Sequence, residues 1–159
     1  MTTEQERAQA QMETRAAQLS GMVEQSRAFL LLFSEKGECI SDNRVARSDA
    51  FSGVRKSVLN AAKAHSLGVA VDSDDVIAAA TAAWLRDTKQ PQFREIKASL
   101  GTEDELRTLT LQFGAINDSE NTAFVRIEDI SDLIATKEQL AHTSRLAELG
   151  ELATGIAHE

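Results

Sequence analysis

The run ELRTLTLQFG (105–114) constrains the fold most tightly. Its apolar side chains alternate: Leu109, Leu111 and Phe113 fall on one side, Thr110 and Gln112 on the other. That period of two predicts a half-buried strand. Strand-like runs flank it, QFREIKASL (92–100) and NTAFVRIED (121–129), joined by the short turn-like connectors GTEDE and AINDSE. Connectors of this length join antiparallel neighbours. An earlier pair, AFLLLFS (28–34) and CISDN (39–43), reads as a β-hairpin with Gly37 in its turn.

Between these groups, residues 45–87 read as helical. VDSDDVIAAATAAWLRD is the clearest case: Ser73 or Asp72 is the expected cap, Asp74 and Asp75 the acidic first turn, and Val76, Ala80, Ala83 and Trp84 one apolar face. Pro91 marks the exit. Two strands, helices and three strands imply an α+β fold: a five-stranded antiparallel sheet with helices on one face. Helices of coiled-coil type flank it. Residues 3–27 carry a narrow stripe, Ala8, Met12, Ala16, Leu19 and Val23, and a long helix runs from about 132 to the end. The expected organisation is an N-terminal helix (1–27), a sheet-bearing domain (28–131) and a C-terminal helix (132–159).

One proline in 159 residues suits long helices, and a net charge of −8 argues against unspecific nucleic-acid binding. No basic recognition helix is visible, so a transcription regulator fits poorly. No apolar run approaches the length of a membrane span, and the N-terminus is too polar for a signal peptide. With one cysteine, Cys39, an internal disulfide is impossible, so a cytoplasmic protein is expected.

Three stretches carry a resemblance to the PAS fold: FLLLFSEKGECISDNR, the meander from Pro91 to Ser131, and EDIS at its exit. The last is close to the Asp-Ile-Thr motif that often ends PAS domains. The resemblance covers about residues 22–133. Asp129 and Ser131 would tie the last strand to the outgoing helix, Ser131 as its cap.

The final residues, RLAELGELATGIAHE (145–159), carry a more specific resemblance. Leu146, Leu149, Ala153 and Ile156 form an a/d seam, and His158 lies roughly 200° from Ile156, away from it. Leu133 and Leu140 are one heptad apart but predict a seam through Ala147, so the stripe slips by about one residue. Gly150 and Gly155 read equally as close-packing positions or a bend. The segment resembles the dimerisation and phosphoacceptor helix of bacterial sensor histidine kinases. The resemblance implies that His158 takes the γ-phosphate of ATP and that the adjacent acid Glu159 orients the imidazole. It implies a parallel homodimer, a response regulator as phosphate acceptor, and ATP with Mg²⁺ on a separate domain. The family's continuation past Glu159 is absent and no Gly-rich nucleotide loop is present. The chain therefore reads as the sensory part of a kinase, ending at the phosphoacceptor and inactive alone. The alternative is a dimerisation or docking module with no small ligand.

Other residues have simpler readings. His65, imaginable as a haem ligand, sits at a helix C-terminus where an imidazolium suits the dipole. Cys39 does not match the flavin-trapping motif, so a small buried apolar role is expected. DSDD (72–75) lacks the Gly and Glu of an EF-hand, and no metal is expected. Trp84 and the phenylalanines read as core, or as the lining of a cavity for a small-molecule ligand.

Overall fold

A computed structural model of the protein describes residues 3–87, 90–101, 104–116 and 121–158, with the backbone alone for 157 and 158. The elements are α1 (Thr3–Gln25), β1 (Phe29–Phe33), β2 (Cys39–Asp42), α2 (Ser52–Ser66), α3 (Val76–Arg86), β3 (Gln92–Ser99), β4 (Leu106–Ile116), β5 (Thr122–Asp129) and α4 (Ser131–His158). A 3₁₀ turn, Asp49–Phe51, precedes α2. The strands form one antiparallel sheet in the order β2-β1-β5-β4-β3. This is the α+β arrangement expected: a five-stranded antiparallel sheet built from a hairpin, a helical crossing and a three-strand meander.

Alternation selects the core face. Phe29, Leu31 and Phe33 on β1, Leu109, Leu111 and Phe113 on β4, and Ala123, Val125 and Ile127 on β5 are all buried. Helices α2 and α3 cover them with Val54, Val58, Ala62, Ile77, Ala80, Trp84 and Leu85. Trp84 is fully buried, stacks on Phe113 at 5.3 Å between ring centres, and donates its indole N–H to the Gln90 carbonyl at 2.8 Å. The ring thus supplies apolar area while its one polar atom is satisfied.

Four expectations are corrected. Helix α3 is capped by Asp75, not Ser73 or Asp72, and Asp74 and Asp75 lie outside its first turn. Asp75 wins because its carboxylate both accepts from the Ala78 N–H at 3.0 Å and receives the Ser57 hydroxyl at 2.7 Å, a bond from α2 that Ser73 lacks. The buried face is centred on Ile77, Ala80, Thr81 and Trp84, which pack towards α2 and the sheet, and Val76 is exposed. Cys39 is exposed, because β2 is a sheet edge, and its thiol lies 3.7 Å from the Asp42 carboxylate. Phe93 is 68% exposed, because it pairs with Gln112 on the face opposite the core. Among the described residues no helix is long and apolar enough to cross a membrane.

Candidate functional site: the helix junctions

Two helices enter and leave the sheet, and polar side chains fasten each. At the entry, Asn43 is fully buried just after β2. Its Oδ1 accepts from the Leu30 and Ala46 N–H groups, both at 3.1 Å. Its Nδ2 donates to the carbonyls of Val23 at 3.1 Å and Ala28 at 2.8 Å. All four hydrogen-bonding positions of the amide are thereby used. Because Val23 belongs to α1, one side chain holds the end of that helix, the start of β1 and the turn after β2 together.

Charges reinforce this joint. Arg47 pairs with Glu24 of α1 and with Asp42 at 2.7 Å, and Arg55 of α2 reaches Asp42 at 3.2 Å. Burial alone would push the Asp42 carboxyl upward, but the hydrogen bonds and charges of Arg47 and Arg55 outweigh it and hold the group below its ordinary value. A carboxyl depressed in the folded state adds stability above its unfolded pKa, and that contribution is lost as pH falls through the folded value. We expect the acid limb of unfolding, below about pH 4, to flatten in Asp42→Asn. An unchanged limb in a denaturant series across that range would show that Asp42 contributes nothing there.

At the exit, Asp129 Oδ1 accepts from the Ser131 N–H at 3.0 Å, and the Ser131 hydroxyl accepts from the Thr108 N–H of β4 at 2.9 Å. The Ile130 N–H donates to the Thr108 carbonyl at 2.9 Å, and the Ile130 carbonyl accepts the first helical bond, from Ile134. Ser131 is the first residue of α4, one position past the cap expected of it, and its hydroxyl serves the sheet. Asp129 takes the free N–H instead. Arg107 faces Asp129 across this joint at 3.5 Å.

Beyond the joint, α4 runs for 28 residues, about 42 Å at 1.5 Å per residue. It stays α-helical through Gly150 and Gly155, and a Cβ on either would meet nothing within 4 Å. Among the described residues no contact requires these glycines. Leu133, Leu140, Leu146, Leu149, Ala153 and Ile156 are all exposed, as is Leu152, which the heptad reading missed. With no local turn of another pitch to absorb the slip, Leu133 and Leu140 lie roughly half a turn from the Leu146–Ile156 stripe on a regular helix. One straight two-helix seam cannot bury both sets. The backbone at His158 is helical, while its side chain and all of Glu159 lie outside the described residues. His65 is exposed in the last turn of α2.

Sequence reasoning missed Asn43, Asp42, Arg47, Arg55 and Arg107. A local signal existed only for Asn43, whose Oδ1 closes the turn to Ala46 three residues on.

No known protein family and no curated protein matches the chain in sequence. Among solved structures it is similar to the PAS domain of an HTR-like protein from Haloarcula marismortui, with a TM-score of 0.46 and 13% identity, covering 79% of this chain and 99% of that one. It is also similar to the PAS domain of BvgS from Bordetella pertussis, with a TM-score of 0.43 and 12% identity, covering 80% and 98%.

Proposed function

We propose that residues 28–131 act as a PAS-type sensor whose state is passed through α4 to His158, a phosphoacceptor, in a cytoplasmic parallel homodimer. The observation that carries this reading is the continuity of α4. One unbroken helix joins the polar lock at Asp129, Ser131 and Thr108 to the segment that begins at Arg145. Its leucines are uncovered, and a second copy of the same helix would bury the Leu146–Ile156 stripe. The chain passes from α1 into β1 at Phe29 and from β5 into α4 after Asp129, and these two strands are neighbours, since β1 pairs with β5. A change in the sheet would reach α1 and α4 together.

In this reading the chain provides the acceptor and the switch, while a separate ATP-binding domain provides Mg²⁺-ATP. An imidazole nitrogen of His158 attacks the γ-phosphorus, the bond to the β-phosphate oxygen breaks, and ADP leaves. The phosphate then passes to an aspartate of a response regulator, and Glu159 orients the imidazole. The sensor acts by biasing two arrangements of the α4 pair, of which one lets His158 reach ATP.

Labelled ATP tests it. The chain is joined after Glu159 to a histidine-kinase dimerisation and ATP-binding module, with and without His158→Ala. We expect acid-labile, base-stable label that the substitution abolishes. Label that persists in the variant, or none in either protein with ATP shown to bind, would remove His158 from the mechanism. A second reading, a docking platform without a small ligand, draws on the packed interior, where Trp84, Phe29, Phe33 and Phe113 are fully buried against one another and the sheet. It would take the lead in the second case.

A further inference from the structure

The inward rows of β4 and β5 are apolar through Phe113, Leu111, Leu109, Val125 and Ile127. Each ends in a charge, Arg107 and Asp129. At that end the core opens into a cleft of about 410 Å³, lined among others by Asp49, Phe51, Leu100, Arg107 and Asp129. This volume suits a small organic molecule.

The polar groups there are under-used. The Arg107 Nε is buried without a hydrogen bond, and its contact to Asp129 is 3.5 Å. A good guanidinium–carboxylate bond is about 2.7–2.9 Å, and a guanidinium has about five donors to offer. The Asp49 carboxylate makes no ion pair among the described residues. Phe51 and Leu100 supply apolar wall to the same cleft. A simple monoanion would satisfy Arg107 but face two carboxylates. A simple amine would satisfy Asp49 and leave Arg107 short of a partner.

We propose that this cleft binds a small zwitterion, an α-amino acid with an apolar side chain, its carboxylate on Arg107 and its ammonium on Asp49. Phe51 and Leu100 receive the side chain. The site borders the start of α4, because Arg107 also faces Asp129, whose other oxygen holds the Ser131 N–H. Occupancy is therefore felt where the helix begins. The claim does not depend on His158.

The test is an amide NMR titration of the whole chain with L-leucine, compared with isovalerate, which lacks the ammonium, and isoamylamine, which lacks the carboxylate. We expect saturable shifts at Gly101 and Ser131 with leucine, and binding weaker by about three- to fivefold for isovalerate, the scale of one exposed ion pair. Asp49→Asn should erase the difference between leucine and isovalerate. Arg107→Gln should weaken leucine by roughly tenfold or more. No saturable shift with leucine, or a leucine affinity that Asp49→Asn leaves unchanged, would overturn the proposal. Asp49 is exposed and unpaired in this way, so its variant keeps the fold even where Arg107→Gln disturbs it.

Discussion

Asn43→Ala is expected to destabilise the protein by about 3–5 kcal/mol, as a buried hub rather than a surface amide is lost. The substitution removes four hydrogen bonds at once and leaves the N–H groups of Leu30 and Ala46 and the carbonyls of Val23 and Ala28 without their partner. Each buried group so abandoned costs about 1–3 kcal/mol, less where water can enter. Two of the four belong to β1 or its immediate approach, so the loss falls on a central strand. Asn43→Asp keeps the acceptor and deletes the donor, while placing a carboxylate in a fully buried position. It should also destabilise, and more so at neutral than at acid pH. Urea denaturation followed by Trp84 fluorescence measures both. A loss under about 1 kcal/mol in Asn43→Ala would mean that the hub contributes no more than one ordinary hydrogen bond.

Gly37→Ala should cost about 3 kcal/mol or more, for two separable reasons. Gly37 turns the β1–β2 hairpin with φ of +82°, where a side chain meets its own backbone. A Cβ there would also lie 2.6 Å from the Leu59 carbonyl oxygen and 2.7 Å from the Lys63 nitrogen, both backbone atoms of α2. A helix backbone does not step aside as a side-chain tip can, so the hairpin would have to lift off α2. Gly68 separates the two terms. It has φ of +69° but nothing within 4 Å of an added Cβ, so Gly68→Ala should cost only the backbone strain, about 1–2 kcal/mol. Equal losses in the two variants would show that the contact between hairpin and helix is soft.

Each of these two positions is only half visible before folding. Gly37 stands between strand-like runs, and a turn there follows from local chemistry. Its closeness to Leu59 and Lys63 does not, because those residues are more than twenty positions away. Asn43 shows the same division: its bond to Ala46 is a local turn, while its bond to Val23 depends on where α1 ends. Cys39 and Phe93 are exposed for a related reason. Their sequence neighbourhoods fit a core, but that β2 is an edge strand and that Phe93 lies with Gln112 on the face away from the core follow only from how the strands assemble.

The candidate site was legible to the extent that it is helical. The leucine spacing of α4 and the His-Glu pair are features of one continuous segment, readable along the chain. The exit lock was half legible. Asp129 and Ser131 stood out, yet Ser131 bonds to the Thr108 N–H, 23 residues earlier. Arg107 did not stand out, because an arginine at the end of an alternating strand reads as ordinary surface.

The five strands, the antiparallel meander, the hairpin and the long helices can be read along the chain, because periods of two and of 3.6 and the chemistry of turns are written in near neighbours. Only the tertiary structure decided that β1 lies beside β5, which brings the entry of α1 and the exit of α4 to adjacent strands. It also decided that Asp75 rather than Ser73 caps α3, that Asn43 joins three segments, and that the core ends in Arg107 and Asp129 at an open cleft. The reason is the same in each case. A hydrogen bond, an ion pair or a cleft between distant residues depends on a spatial register that folding alone creates.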